Sequence, residues 1–485
     1  MAVTNGTANG EEHIVPLWID GKEVFTDNYI EVESPKSLKN IWRASGVTKK
    51  EAIEAVESSE RAFKTWRKTK PAEISKILNK AAAIVEERLE ELVHYQGEET
   101  GAPDFVTREF NLPLVLALLR DISGRVGTIT GTIPNTANGG ALVFKEPYGV
   151  ILGIAPWNGP YILGLRACIY AIAAGNTCVL KGSEFSPRCF WALGDILHKA
   201  GLPDGVLNVI YHRPQDAAEV TNAMIEHNAI KKINFTGSNL VGSLIAAKAG
   251  KELKPTCMEL GGKASSIVCE DADLELAAAQ CALGAMAHSG QICMSTERII
   301  VYKSIEEKFA TELKKAVERI YPSEGEGPIL VAKPAIAKIR ALHEDAVAKG
   351  ATVLYGDLAA RDPNPHRIRP VIMSGVKKGM DLYYTESFGP SVSLHTVEND
   401  EEALELANDT EYGLTGAIFT NNLTRGIRMA REIDSGAVHI NQMTIHDEPC
   451  LPHGGSKKSG WGRFNAENGF DEFLKLKTIT FADEI

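Results

Sequence analysis

Four short runs in the middle of the chain restrict its fold more than any other feature. GVILGIAP (149–156), NTCVLKG (176–182), VLNVIY (206–211) and KINFTGS (232–238) are apolar and β-rich, and helix-length segments separate them. A continuous apolar run suits a strand covered on both faces, and such strands joined by helices make parallel βαβ units. The expected architecture is α/β, an open doubly wound sheet that binds ligands beyond the carboxyl ends of its strands. A second alternating stretch begins near Glu259 in MELGGKASSIVCE and continues past Gly350 into ATVLYGD. At 485 residues the chain exceeds what one core supports, so two such units are expected.

The flanking segments read differently. Pro71–Val93 carries an apolar stripe at helical spacing (Ile74, Ile77, Leu78, Ala81, Ile84, Val85, Leu89, Leu92), with proline at the start, and predicts one helix. Lys50–Lys68 predicts another. Gly124–Phe144 is rich in Gly, Thr, Val and Ile, as a β-arm would be, and FLKLKTITF (473–481) alternates like an edge strand. An unpaired edge invites aggregation, and pairing with another subunit resolves it, so an oligomer is expected.

Composition excludes several function classes. The net charge is -11 with both signs interspersed, whereas phosphate-binding surfaces need excess Lys and Arg. Neither a nucleic-acid partner nor an anionic membrane surface is expected. The opening MAVTNGTANGEEH reads as a polar tail rather than a signal or transit peptide. The longest apolar stretch, Tyr161–Ala174, is too short to span a bilayer and contains Arg166. Eight scattered cysteines without CxxC point to a reducing cytoplasm, and no Cys/His spacing predicts a metal.

Individual positions carry chemistry with uneven force. Cys293, in HSGQICMSTERI, sits in a polar turn that would expose a thiol for nucleophilic attack; an arbitrary cysteine is more often structural. Glu259 ends a strand before a Gly-Gly turn, where partial desolvation suits a general base, or where it merely caps a loop. Gly237 and Ser238 open a helix whose N-terminus suits a pyrophosphate, although GxxxxG through Gly242 lacks the lysine of a P-loop. Lys181 and Glu184 follow a strand and could hold ribose hydroxyls or lie in solvent. Asn158, in a proline-bounded turn, could stabilise an oxyanion or simply shape the turn.

Together these segments resemble the aldehyde dehydrogenase superfamily. APWN (155–158), VLKGSE (179–184), FTGSxxxG (235–242), MELGGK (258–263), GQICMSTER (290–298), ESFGP (386–390) and PHGGSKKSGWGR (452–463) occur in family order across nearly the whole chain. The resemblance implies two doubly wound α/β domains plus a β oligomerisation arm. The NAD-binding domain would comprise 1–122 and 145–258, the catalytic domain 259–450, the arm 123–144 and 471–485, and 451–470 would return to the first domain. It implies Cys293 as nucleophile, Glu259 as general base and Asn158 in the oxyanion hole. Lys181 and Glu184 would hold the adenosine ribose, Gly237 and Ser238 the pyrophosphate, and Glu386 the nicotinamide ribose. Pro156, Trp157, Ser183, Gly242, Leu260, Gly261 and Phe388 complete the implied cofactor site. NAD is expected over NADP, because Glu184 would repel a 2′-phosphate. The partners implied are a small-molecule aldehyde and identical subunits, as a homodimer or homotetramer.

Within the family, APWNGPYILGLR and GQICMSTERI are most similar to salicylaldehyde, vanillin and related aromatic-aldehyde dehydrogenases. The implied substrate pocket includes Gly159, Arg166, Ile292, Met294, His446 and His453. Gly159 stands where many relatives carry Phe and leaves room for a planar ring. Arg166, expected near the entrance, could bond a phenolic oxygen or a carboxylate, or lie in solvent. His453 replaces the Phe usual in PFGG, and IHDEPCLPH (445–453) is unusually polar, so His446, Asp447 or His453 could read a polar substituent. A small aliphatic aldehyde or semialdehyde is the alternative, and a non-catalytic scaffold of the same fold a remote one.

Overall fold

The computed structural model describes residues 14–482; the opening polar tail lies outside them. Among these residues, two open sheets dominate. The first runs in the order Gly460–Trp461, Thr256–Glu259, Ile230–Thr236, Val150–Ile154, Thr177–Lys181, Leu207–Ile210, Leu17–Ile19, Lys22–Val24. Its five middle strands are parallel, and antiparallel strands close both sides. The four apolar runs are therefore the parallel strands expected, and every residue of Val150–Ile154 and Thr177–Lys181 is buried.

The second sheet runs Thr352–Tyr355, Val371–Ser374, Ser391–Val397, Thr296–Tyr302, Ala264–Val268, Thr415–Phe419, Ala437–Ile440, parallel except at its first strand. Separately, Gly140–Pro147 pairs antiparallel with Leu474–Phe481 in a two-stranded ribbon. The alternating C-terminal segment is thus a strand, and Phe144, Leu476, Ile479 and Phe481 remain exposed along the ribbon.

Chain order places the ligand site. From Val150–Ile154 the chain adds strands on one side as far as Leu207–Ile210, then crosses back to place Ile230–Thr236 on the other. The loops after Ile154 and Thr236 diverge there, leaving a crevice at the carboxyl edge. The second sheet faces this crevice with the opposite ends of its strands. Lys263 precedes Ala264–Val268, Cys293 precedes Thr296–Tyr302, and Glu386–Phe388 precede Ser391–Val397.

The helices follow their sequence signals with two corrections. Lys49–Trp66 is capped by Thr48 and Glu51 in a reciprocal capping box. The single helix expected over Pro71–Val93 is two, Pro71–Glu87 and Leu89–Thr100, broken at Arg88. Arg88 leaves helical geometry and pairs with both Glu91 and Asp195, so a tertiary ion pair overrides the continuous stripe. The β-arm expected from Gly124 makes its first bridge only at Thr132, to Val143, and its strand begins at Gly140. Before it, Leu112–Arg125 is helical because Leu118, Leu119 and Ile122 bury a helical face, and Val126–Thr128 adds a 3-10 turn. The apolar stretch near Arg166 forms the wholly buried helix Pro160–Ala173; no described helix is long and apolar enough to cross a membrane.

Candidate active site

Cys293 stands in a turn between two cavities and lines both. The larger, about 510 Å³, is walled mainly by apolar side chains including Val106, Phe110, Leu114, Ile162, Ile292 and Met294. The smaller, about 300 Å³, lies against the crevice of the first sheet and is lined by Pro156, Trp157, Gly237, Ser238, Gly261, Glu386 and Phe388. Asn158 also lines both cavities, and Glu259 lines the smaller. Five residues far apart in sequence, 158, 237, 259, 293 and 386, therefore meet around one thiol.

The local chain explains why the thiol is reachable. His288, Ser289 and Gly290 all adopt positive φ (47°, 60° and 71°), a left-handed turn that ends the preceding helix. Gln291 then fixes the loop: its amide donates to the carbonyls of His288 and Ile329, and its oxygen accepts from Val331 N. The thiol is half-buried rather than freely exposed. Burial and the facing Glu259 carboxylate push its pKa well above the usual thiol value.

Glu259 is 1% exposed, and neither carboxylate oxygen makes a hydrogen bond of ordinary geometry. Desolvation raises its pKa to about 7, with Cys293 and Arg166 opposing the rise. A carboxylate that exchanges protons near neutrality, without a partner to satisfy it, can take a proton from water or a thiol. Asn158 is buried, and its amide donates to the Gln291 carbonyl at 2.9 Å. One amide hydrogen is thus held by the loop that carries Cys293, which orients the other.

Two glycines permit the close approaches. A Cβ on Gly262 would lie 2.4 Å from the Cys293 carbonyl oxygen, and one on Gly261 would lie 2.6 Å from Glu386 Oε2. Glu386 accepts from Gly262 N at 2.8 Å, yet burial raises its pKa to about 7. Ser238 caps the helix Asn239–Lys251 by accepting from Val241 N, and Gly237 and Ser238 line the smaller cavity where that helix begins. Trp157 meets Phe388 edge-on at 6.0 Å and Phe185 at 6.3 Å, forming its aromatic walls. These features fit the nicotinamide half of a dinucleotide: an apolar slot for a ring, a carboxylate acceptor for ribose hydroxyls, and backbone amides for a pyrophosphate.

Other implied cofactor residues lie outside that cavity's lining. Lys181 and Glu184 sit at the carboxyl end of the adjacent strand, where burial lowers the lysine pKa and Glu184 opposes. Ser183 bonds Glu184, and Leu260 packs where a Cβ on Gly242 would stand. They form part of the same sheet rim, further along it.

The substrate-side residues differ from expectation in one respect. Arg166 is neither at an entrance nor solvated; it is 3% exposed on the core helix and paired with the equally buried Asp447. Gly159, Arg166, Ile292, Met294, His446 and His453 all line the larger cavity. His446 pairs with Glu448 at 3.2 Å and packs on His439, while His453 is buried with Nε2 unpartnered. Burial lowers the His453 pKa to about 4, so its ring is neutral at physiological pH.

Three functional positions escaped sequence reasoning. Lys263 and Glu297 form a fully buried ion pair at 2.7 Å. Glu297 also accepts from Ser387 N, Ser387 Oγ and Phe388 N, and Lys263 donates to the Thr385 carbonyl. This network holds the loop carrying Glu386 and keeps Phe388 at φ 53°, a conformation costly for a residue with a Cβ. Both charges lie inside quoted motifs, MELGGK and GQICMSTER, and that was the available signal. His288 lines the larger cavity, edges against Trp157 at 6.1 Å, and has both ring nitrogens unpartnered.

The chain is similar to known proteins over nearly its whole length. The chain is 38% identical to vanillin dehydrogenase of Pseudomonas fluorescens over 475 residues, covering 96% of this chain and 97% of that one. A crystal structure of salicylaldehyde dehydrogenase from Pseudomonas putida G7, complexed with salicylaldehyde, superposes with a TM-score of 0.93. It is 33% identical, covering 97% and 99% of the two chains. Betaine aldehyde dehydrogenase from Staphylococcus aureus, crystallised with NAD+, superposes with a TM-score of 0.91 at 28% identity, covering 96% and 94%. A family model described as the aldehyde dehydrogenase family matches residues 18–479, and the chain belongs to that family.

Proposed function

We propose that the protein oxidises an aromatic aldehyde to its carboxylic acid, with NAD as acceptor and Cys293 as covalent nucleophile. Family membership makes aldehyde oxidation the reaction class. The observation that carries the finer reading is that Cys293 and Asn158 form the shared wall of two cavities, one apolar and large enough for a ring, the other suited to a nicotinamide. Salicylaldehyde and vanillin dehydrogenases among the relatives support an aromatic substrate.

The chain's own residues supply these steps. Cys293 Sγ adds to the aldehyde carbon, and the thiol proton passes to Glu259. The oxygen takes up negative charge within reach of the Asn158 amide and the Cys293 backbone amide. Bound NAD supplies a hydride acceptor. Loss of hydride from the same carbon leaves a thioester on Cys293. Glu259 first gives up that proton to solvent, then removes one from water as it adds to the thioester; the C–S bond breaks, the Cys293 sulfur recovers a proton from Glu259, and the acid loses its own to solvent and departs as the carboxylate. Splitting the reaction at a thioester replaces one difficult step by two easier ones.

In this reading the first sheet and its loops hold NAD, the second carries the nucleophile, and the ribbon serves assembly into a homodimer or homotetramer. The ribbon's exposed Leu476, Ile479 and Phe481 support that last role. The deciding assay is NADH formation with salicylaldehyde, vanillin, benzaldehyde, a straight-chain aldehyde and succinic semialdehyde. Preference for the aromatic set, abolished in Cys293→Ala, is the expected result; preference for an aliphatic or acidic aldehyde removes the aromatic reading.

A further inference from the structure

The Cys293 cavity has an unbalanced charge lining. Among the described residues that line it, Arg166 is the only lysine or arginine, whereas Glu109, Asp447 and Glu448 are acidic. Arg166 is also already engaged. It pairs with Asp447, and both side chains are at least nine-tenths buried (3% and 5% exposed). The pair is locked from several directions. Asn465 Nδ2 donates to the other Asp447 oxygen at 2.7 Å, the Arg166 guanidinium stacks on Phe464 at 5.6 Å, and its backbone belongs to the buried helix Pro160–Ala173. His453 and His288 add no positive charge, since burial takes both rings down to about 4, and His446, the third lining histidine, is already paired with Glu448.

We infer that Asp447 is a specificity-determining residue: by occupying Arg166 it leaves the substrate cavity without a free cation and so excludes aldehydes that carry a carboxylate. This inference rests on the reading of the Cys293 cavity as the aldehyde site. A carboxylate entering the cavity loses water and finds no compensating charge, while Asp447, Glu109 and Glu448 repel it. A neutral ring suffers neither penalty. Arg166 would otherwise suit the opposite task. Its Nε has no partner, and with Asp447 removed the Nε and Nη2 donors form the planar fork that binds a carboxylate through two hydrogen bonds.

The test compares two para-substituted aldehydes of similar shape, 4-formylbenzoate and 4-methylbenzaldehyde, by the ratio of their kcat/KM values with NAD. The wild-type ratio lies well below one. Asp447→Asn should raise it at least tenfold by freeing Arg166. Arg166→Leu should lower it, because Asp447 is then unopposed. The double variant R166L/D447N should lose the gain. A ratio in folded, active Asp447→Asn within twofold of wild type overturns the inference. So does a double variant that keeps the gain, since relief of repulsion alone would then explain it. If Asp447→Asn fails to fold or to turn over, Arg166→Leu decides, and an unchanged ratio there is equally fatal. No NADH from either aldehyde with the wild-type protein would remove the underlying reading of the site instead.

Discussion

Replacing Glu259 by glutamine should stabilise the protein in a pH-dependent way while it stops turnover. The carboxyl is 1% exposed, has no hydrogen-bond partner, and has its pKa raised from 4.5 to about 7. Because the folded value exceeds the unfolded one, the folded state holds the proton more tightly. Glu259 therefore costs no charge-burial energy below pH 4.5, a growing amount between 4.5 and 7, and a constant amount above. At about 1.4 kcal/mol per tenfold change in proton affinity, the plateau is ~3 kcal/mol. A buried glutamine amide carries its own penalty, but that penalty does not vary with pH. The informative quantity is thus the change in the variant-minus-wild-type difference between pH 5 and pH 8. It should favour the variant at pH 8 by about 2–3 kcal/mol, since part of the cost is already present at pH 5, or by about 2–3 °C in apparent melting temperature for a chain of 485 residues. In the same protein, steady-state turnover should fall by roughly 10²–10⁴, with any NADH burst slowed as well, because thiol deprotonation and thioester hydrolysis both lose their base. Parallel melting curves for the two proteins across this pH range would refute the argument that Glu259 is kept desolvated for use as a base.

Asn158→Ala should lower kcat by about 10²–10³ with a much smaller effect on NAD binding, since it removes an oxyanion donor but only a small part of the wall of the smaller cavity; equal losses in both would place the residue elsewhere. Lys263→Met leaves Glu297 buried without its cation and should destabilise the fold by about 3–5 kcal/mol, read by denaturant unfolding; a change under 1 kcal/mol would show the pair to be dispensable. Gly261→Val should raise the KM for NAD far more than that for aldehyde, because any Cβ there meets Glu386 at 2.6 Å. Equal KM changes would contradict the assignment of Glu386 to the cofactor side.

The strands and their carboxyl-edge loops were legible because both signals are local. An apolar run marks a covered strand, and Pro156–Gly159 or Gly237–Ser238 marks where it stops. The rest depended on partners distant in sequence. The stripe over Pro71–Val93 keeps its spacing through Arg88, and the helix breaks where Arg88 pairs with Glu91 and the distant Asp195. Gly124 and Arg125 look like the start of an arm, yet burial of Leu118, Leu119 and Ile122 carries the helix through them. At the site, Cys293 and Asn158 sit in turns, and Glu259 at a strand end before Gly261–Gly262, whose composition advertises chemistry. Arg166 could not be read correctly alone, because Asp447 lies 281 residues away. Lys263 and Glu297 were hidden for the same reason: each looks like a surface charge until the other is placed beside it.

The segment 445–453, much of which lines the larger cavity, is fastened at both ends to parts outside that cavity's lining. Upstream, Asn441 is bonded by backbone and side chain to Ile418 and Thr420 in the second sheet. Downstream, Ser459 holds the Leu260–Gly261 turn, and Gly460 pairs with Glu259 itself. Substitutions between these anchors can change what the cavity admits while thiol, base and amide keep their places. Substrate range and reaction chemistry are thereby separable under mutation, so a lineage can explore new aldehydes through one short loop without first sacrificing catalysis.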